Sequence, residues 1–143
     1  MIAIDTNILV YAHREDSSFH EKADKILTEL AESGDDWTIP WPCIHEFYAV
    51  VTHPKIYLPP TPLDKAVAQI DCWMECPSLK LIGEKYDYWQ VLKPVLISGK
   101  IQGARVHDAR IAAICIENNI KVLWSADRDF NRIQGLKIKN PLL

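Results

Sequence analysis

The sequence has little glycine and no long apolar run. Its five glycines include none directly after the first apolar segment, where a P-loop or dinucleotide-binding fold needs a glycine-rich turn. No serine lies in a nucleophile-elbow motif, which argues against an α/β-hydrolase. No run reaches the roughly 18 apolar residues of a membrane-spanning helix, and no basic segment with a cleavable apolar stretch opens the chain. We therefore expect a cytoplasmic protein with no membrane partner.

Positive charge is also scarce. The chain has 19 Asp and Glu but 16 Lys and Arg, which gives a net charge of −3. This balance repels a polyanion unless local basic groups or bound cations reverse the field, so composition neither requires nor excludes nucleic acid. The four cysteines lie in helix-like segments, and without an export signal free thiols are favoured. Cys72 and Cys76 could share a zinc ion, but no second ligand pair has a matching spacing, which disfavours zinc.

Length and patterning indicate one α/β domain. The 143 residues, 48% of them hydrophobic, suit a single compact domain spanning 1–143. Short apolar runs alternate with amphipathic segments, which predicts a central, mostly parallel sheet covered by helices on both faces. Strands are expected at 2–4, 37–39, 79–82 and 121–124. Helix starts are expected near Asn7, at a Ser18–Glu21 capping box, after Pro42, at a Thr61 cap followed by Pro62, at Tyr86 and at Val106.

Four acids lie far apart in the chain, each at an expected strand end or helix start. They are Asp5, Glu46, Asp108 and Asp127. Because the carboxyl ends of parallel strands meet at one edge of a sheet, these side chains are expected to converge there. An aspartate among apolar neighbours, as in IAIDTNILVYA and VHDARIAAICI, costs free energy unless a cation compensates for it. Taken singly, Asp5 or Asp108 could instead be a helix cap, and Glu46 a solvated acid.

The neighbours of these acids make the pattern specific. The run IAIDTNILVYA, the helix with His45, Glu46 and Phe47, the run VHDARIAA and the closing WSADRDF resemble, in order, the four motif regions of the PIN-domain family. In length and motif order the chain is similar to VapC-type toxins of toxin–antitoxin pairs. The resemblance implies a PIN-like three-layer fold and a Mg²⁺-dependent endoribonuclease in which Mn²⁺ substitutes for Mg²⁺. It also implies an RNA substrate, products with 5′-phosphates and 3′-hydroxyls, a cognate antitoxin and a homodimer.

The resemblance also assigns roles to individual residues. Catalysis and metal binding fall to the acidic quartet of Asp5, Glu46, Asp108 and Asp127. Hard oxygen ligands of this kind suit Mg²⁺ or Mn²⁺. We expect four further residues to support the quartet by holding loops or orienting ligands: Thr6, Asn7, Ser125 and Asp129. Asp129 is expected as a fifth, variable acid.

Other interpretations remain open or fare worse. A phosphatase with an aspartyl nucleophile needs an acid two residues after the first one, and this chain has Asn7 there. The alternative from another class is a PIN-like module that binds RNA or a partner and cuts nothing. Three arginines flank the acidic motifs and either grip backbone phosphates or form salt bridges. They are Arg105, Arg110 and Arg128.

Overall fold

The centre of the molecule is a five-stranded parallel sheet. The computed structural model describes residues 1–143, except for the side chains of Asn131 and Arg132. Its strands are β1 (Ile2–Ile4), β2 (Trp37–Pro40), β3 (Leu79–Ile82), β4 (Val122–Trp124) and β5 (Lys137–Lys139). They are arranged in the order β3-β2-β1-β4-β5, and all four pairings are parallel. The first strand of the chain therefore lies in the middle of the sheet.

Helices connect these strands, as parallel pairing requires. They are α1 (Thr6–His13), α2 (His20–Glu32), α3 (Trp41–Val51), α4 (Leu63–Met74), α5 (Tyr88–Ser98) and α6 (Val106–Glu117), with short 3₁₀ helices at Gly103–Arg105 and Arg128–Arg132. All four residues of β2 are buried, which requires cover on both faces of the sheet. The predicted three-layer α/β fold is confirmed. Within the described part of the chain, no helix is both long and apolar enough to span a bilayer.

The core forms where the central strands meet α1, α3 and α6. Ile4 of β1, Phe47 of α3 and Leu123 of β4 are fully buried. In α6, five consecutive residues from Ile111 to Cys115 are also buried, so this helix has apolar contacts on nearly every side. Because α1 and α3 directly follow β1 and β2, their N-terminal ends lie at the carboxyl edge of the sheet.

Two predicted helix caps are wrong. The Ser18–Glu21 capping box does not form, because α2 begins at His20 and the neighbouring Ser17 hydroxyl accepts the Phe19 N–H instead, at 3.1 Å. Thr61 does not cap α4, which begins at Leu63 after Pro62. The Thr61 hydroxyl is instead 3.1 Å from a ring nitrogen of His13 and accepts a hydrogen bond from Arg14 at 3.2 Å. These contacts are tertiary, so local sequence did not reveal them.

The strand β5 was not predicted. Its three residues, Lys-Ile-Lys, contain one apolar side chain between two exposed lysines. Flanking lysines are typical of a sheet edge, where charge prevents pairing with another chain. Such a short segment carries almost no periodic signal, and its pairing with β4 fixes it as a strand.

Candidate active site at the carboxyl edge of the sheet

The four predicted acids line one cleft. Asp5 directly follows β1, Asp127 lies just beyond β4, Glu46 is on α3, and Asp108 is in the first turn of α6. Together they line a cavity of about 280 Å³, here called the acidic cleft. Residues separated by up to 122 positions in the chain are thus brought together by the sheet topology. Such convergence is expected where parallel strands end.

Asp5 is the most buried of these acids, with 4% of its surface exposed. It is the N-cap of α1, and its Oδ1 accepts the Thr6 N–H at 2.8 Å. Its Oδ2 accepts the Ser125 hydroxyl at 2.7 Å, and the Cys43 thiol lies 3.8 Å from Oδ1. Burial raises the pKa of Asp5 to about 6, although the two hydrogen bonds oppose the shift. Asp5 is therefore a helix cap that also lines the acidic cleft, and its catalytic role stays a prediction.

Glu46 is held in place by Thr6. The Thr6 hydroxyl donates to Glu46 Oε2 at 2.7 Å. Since Thr6 also donates its backbone N–H to Asp5, one residue in the first turn of α1 orients two of the four acids. This gives Thr6 a defined supporting position of the kind that the sequence predicted.

Three aspartates form a tighter group. Asp108, Asp127 and Asp129 each offer a carboxylate oxygen, and these oxygens lie within 4.8 Å of one another. Oxygens on opposite sides of an octahedral Mg²⁺ are about 4 Å apart, so the group fits a shared cation. Asp5 and Glu46 line the same cleft without belonging to this group. The placement brings Asp129, which the sequence treated as a variable extra acid, beside two members of the quartet.

The negative charge of this group shifts the pKa of Asp108. Partial burial and the neighbouring carboxylates of Asp127, Glu46 and Asp129 raise the pKa of Asp108 to about 6, and the nearby Arg105 opposes the shift. Like charges at short range favour protonation. A cation bound among these carboxylates would favour their ionised forms.

Asn7 and Ser125 connect the start of α1 to the loop after β4. The Ser125 hydroxyl, which donates to Asp5, accepts the Asp127 N–H at 3.0 Å. Asn7 Oδ1 accepts the Ala126 N–H at 3.2 Å, and its Nδ2 donates to Ser125 Oγ at 3.4 Å. The spacing between Asp5 and Asp127 therefore depends on these two polar side chains.

The arginines that flank the acidic motifs have different surroundings. Arg110 forms a salt bridge with Glu84, with Nε and Oε1 2.6 Å apart. Arg105 instead donates a terminal N–H to the Asp129 carbonyl oxygen at 3.4 Å. Its Nε is buried and has no hydrogen-bond partner among the described residues. For Arg110 the salt-bridge alternative is confirmed, whereas Arg105 leaves donors beside the acidic cleft.

Two tyrosines that line the acidic cleft were not predicted from the sequence. Tyr11 and Tyr57 both line it. Tyr11 follows Asn7 by four residues, one helical turn, and this spacing could have signalled a shared face. Tyr57 lies in a loop, where no periodicity applies, and the Arg14 guanidinium carbon is 4.3 Å from its ring centroid. Burial raises the pKa of the Tyr57 hydroxyl.

Comparison with known proteins establishes the family. The sequence profile of the PIN domain matches residues 2–136. The chain belongs to the PIN domain family. This PIN domain is 31% identical over 137 residues to "Ribonuclease VapC48" of Mycobacterium tuberculosis, covering 96% of this chain and 94% of that protein. It is 30% identical over 142 residues to "Ribonuclease VapC43" of the same organism, covering 99% and 96%.

Solved structures share the fold of this PIN domain. The VapBC2 structure from Rickettsia felis, bound to a DNA fragment from its promoter, superimposes with a TM-score of 0.68 at 22% identity and covers 97% of this chain and 98% of that one. VapC20 of Mycobacterium tuberculosis, a toxin that cleaves the sarcin–ricin loop, also gives 0.68, at 14% identity and coverage of 92% and 93%. At these identities the likeness establishes the fold alone.

Proposed function

We propose that this PIN domain is a metal-dependent endoribonuclease and the toxin of a toxin–antitoxin pair. One observation carries the proposal: four acids from four distant segments line a single cleft at the carboxyl edge of the sheet. The similarity to proteins named ribonucleases, over nearly the whole chain, supports the reaction class. In this proposal the catalytic and metal-binding residues are Asp5, Glu46, Asp108 and Asp127, supported by Thr6, Asn7, Ser125 and Asp129.

Mg²⁺ is the proposed cofactor, and Mn²⁺ can substitute for it. The oxygen-only donor set and the spacing of Asp108, Asp127 and Asp129 fit a small, hard cation. When bound, Mg²⁺ lowers the pKa of a water molecule and offsets negative charge on the phosphodiester. Asp5 and Asp108 are the proposed principal ligands, and Glu46 and Asp127 would complete the set or orient water. Asp129 lies close enough to Asp108 and Asp127 to contribute a further oxygen.

Hydrogen bonds within the chain fix the positions of Asp5 and Glu46. Asp5 is kept rigid by its hydrogen bonds to Thr6 and Ser125, so its carboxylate presents a fixed geometry to the cleft. Glu46 accepts the Thr6 hydroxyl at 2.7 Å, and in this proposal it completes the set of metal ligands or orients the attacking water. By family resemblance, the products carry 5′-phosphates and 3′-hydroxyls.

The proposed protein partners are an antitoxin and a second copy of this chain. Several similar structures are complexes, VapBC2 among them, and this supports an antitoxin partner. That the antitoxin covers the acidic cleft with a basic side chain is proposed on the negative charge of the cleft. Apolar side chains on α4 and α5 are exposed and could form the homodimer contact. They include Leu63 and Val67 of α4, at 62% and 49% exposure, and Trp89 and Ile97 of α5, at 55% and 76%.

The deciding experiment is cleavage of a mixed transfer and ribosomal RNA pool by the purified protein with Mg²⁺, with Mn²⁺ or with EDTA. We expect metal-dependent fragments with 5′-phosphates, lost in Asp5→Asn and Asp108→Asn. The control is Glu29→Gln, which alters an exposed acid of α2 and should cut like the wild type. Intact RNA under every condition, with RNA binding retained, would replace this proposal with the silent binding module.

A further inference from the structure

A second cleft adjoins the acidic cleft. It has a volume of about 490 Å³ and is here called the side cleft. Tyr11 and Asp127 line both cavities, so the two clefts meet at these side chains. The side cleft lies beyond the ends of β4 and β5, where ligands of parallel sheets bind. Its volume falls within the roughly 300–1,000 Å³ of small-molecule sites.

Apolar and aromatic groups form much of the side cleft. Ile138 of β5 is half-buried, and Leu142 is 6% exposed. The rings of Tyr11 and Phe19 lie with their centroids 5.1 Å apart, at an interplanar angle of 42°. Phe19 remains 47% exposed despite being apolar. An aromatic pair with an accessible ring can take a flat ligand by stacking.

Polar groups complete the lining. Arg128 is exposed and has no salt bridge to any described side chain. Asn140 Oδ1 accepts the Leu142 N–H at 3.0 Å, and that bond does not engage the amide NH₂ group. The side cleft therefore offers a cation and an amide donor beside an apolar, partly aromatic surface, with Asp127 of the acidic cleft at its border.

We infer that the side cleft binds the unpaired nucleobase and ribose of a nucleotide that adjoins the phosphate in the acidic cleft. A nucleobase has flat faces that stack on aromatic rings and polar edges that accept and donate hydrogen bonds, which matches this lining. The phosphate joined to it would lie near Arg128 and the border at Asp127. The inference rests on the proposed function, since it places RNA in the acidic cleft.

The base that enters the side cleft must be unpaired. A base inside a duplex keeps both faces stacked and its pairing edge occupied, so it cannot enter a cavity beside the cut. The two rings and the Asn140 amide would then act on the base, whereas Arg128 would act on the phosphate. These contributions can be measured separately.

Binding of mononucleotides separates them without requiring cleavage. The probes are nucleoside 5′- and 3′-monophosphates of the four bases, with ribose 5-phosphate as the base-free reference, titrated in Mg²⁺ and followed by NMR chemical shifts. We expect at least one nucleotide to bind about tenfold more tightly than ribose 5-phosphate, the gain typical of one stacked base. Equal affinity for all nucleotides and ribose 5-phosphate would overturn the inference.

Variants assign the gain to the side cleft. Phe19→Ala should lose most of the preference for nucleotides over ribose 5-phosphate, and Phe19→Leu should lose part of it. Arg128→Gln should weaken both kinds of ligand by the same factor. The control is Tyr86→Ala, a fully exposed aromatic residue before α5 that lines neither cleft, which should change neither. Thermal unfolding of each variant identifies any loss of binding that comes from misfolding. If Phe19→Ala does not fold, the comparison between Phe19→Leu and the wild type tests the inference.

The outcomes also separate this inference from the proposed function. Base-dependent binding that Phe19→Ala abolishes, in a protein that cuts no RNA, would support the side cleft while the endoribonuclease proposal fails. RNA cleavage with no base-dependent binding would overturn the inference alone. Binding of a co-purifying protein that Phe19→Ala weakens, with nucleotide binding unchanged, would assign the side cleft to that partner and overturn the inference as well.

Discussion

At the scale of single residues, Asp5 shows how the needs of the site oppose folding. Its carboxyl group is almost completely buried, and burial raises its pKa from 3.8 to about 6. A raised pKa means that the folded state binds the proton more tightly than the unfolded state. In the metal-free protein this residue therefore lowers stability as pH rises between about 4 and 6, and the full cost is present above pH 6.

Asp5→Asn should stabilise the metal-free protein at pH 7.5 by about 1–3 kcal/mol, since a pKa shift of one unit corresponds to about 1.4 kcal/mol. The gain should shrink toward pH 4, where Asp5 is protonated in the folded wild type. Urea unfolding in EDTA at pH 7.5, 5.5 and 4.5 measures this. Glu29→Gln, at an exposed acid, should show no such pH-dependent gain. A wild type as stable as Asp5→Asn at pH 7.5 would contradict the argument.

Arg105 has a buried nitrogen that a ligand can contact. Its guanidinium lies near Asp108 and donates to the Asp129 carbonyl, while its buried Nε has no acceptor among the described residues. A backbone phosphate of RNA would supply one. Because the net charge of the chain is −3, a local cation of this kind has a large effect on binding a polyanion.

Arg105→Ala should weaken RNA binding about tenfold and reduce the slope of log affinity against log salt by about 1, as expected for one lost phosphate contact. Fluorescence anisotropy of a labelled single-stranded RNA, in Mg²⁺ and in the non-cutting Asp5→Asn background, measures both quantities. Arg110→Ala is the matched control, since Arg110 on α6 already forms a salt bridge with Glu84, which lies in the segment between β3 and α5. Equal losses in the two variants would leave Arg105 without a special role.

At the scale of elements, the first turn of α1 organises the acidic cleft. Thr6 links Asp5 to Glu46 on α3, and Asn7 links α1 to the loop after β4. Each link joins segments that are distant in the chain. The positions of the acids therefore depend on hydrogen bonds between elements as well as on the strands that carry them.

Thr6→Val should remove the hydrogen bond to Glu46 while keeping the shape of the side chain. We expect a stability loss of about 1 kcal/mol and a drop in RNA cleavage of about tenfold or more, because Glu46 loses its orientation. Chemical unfolding and cleavage rates in Mg²⁺ measure the two effects. Thr52→Val removes a similar bond, to the Tyr48 carbonyl at the end of α3, and should cost stability with little loss of cleavage. Equal loss of cleavage in both would show a general effect of destabilisation.

The elements also differ in how well the sequence predicted them. The start of α6 at Val106 was predicted correctly, because its long, nearly continuous apolar pattern can only be a buried helix. The helix expected to begin at Tyr86 begins two residues later, at Tyr88. The strand β5 escaped because three residues are too few for a pattern. Local signals fail where neighbours in space determine the conformation.

At the scale of the whole molecule, α4 carries exposed apolar groups. Leu63 and Val67 follow each other by one helical turn on α4 and are exposed in the isolated chain. Exposed apolar side chains grouped on one element are typical of an interface. We propose that this face of α4 contributes to the homodimer.

Val67→Asp should convert a dimer to a monomer, because a charge buried in an apolar contact is strongly unfavourable. Light scattering coupled to size-exclusion chromatography measures the mass directly. Ile56→Asp, at an exposed apolar residue in the loop after α3, serves as the control and should remain dimeric. A monomeric wild type, or a dimer in both variants, would place the contact elsewhere or remove it.

The sequence by itself determined the class of fold, the family and the four acids that meet in the acidic cleft. The class of fold follows from the alternation of apolar and amphipathic runs. The family and the four acids follow from the resemblance of four short motifs, each made of consecutive residues. The tertiary structure alone decided which acids lie closest, how Thr6 and Ser125 hold them, that β5 completes the sheet and that Tyr11, Phe19 and Asn140 share a cleft. Such contacts join segments far apart in the chain, and their distances depend on packing that no local pattern specifies.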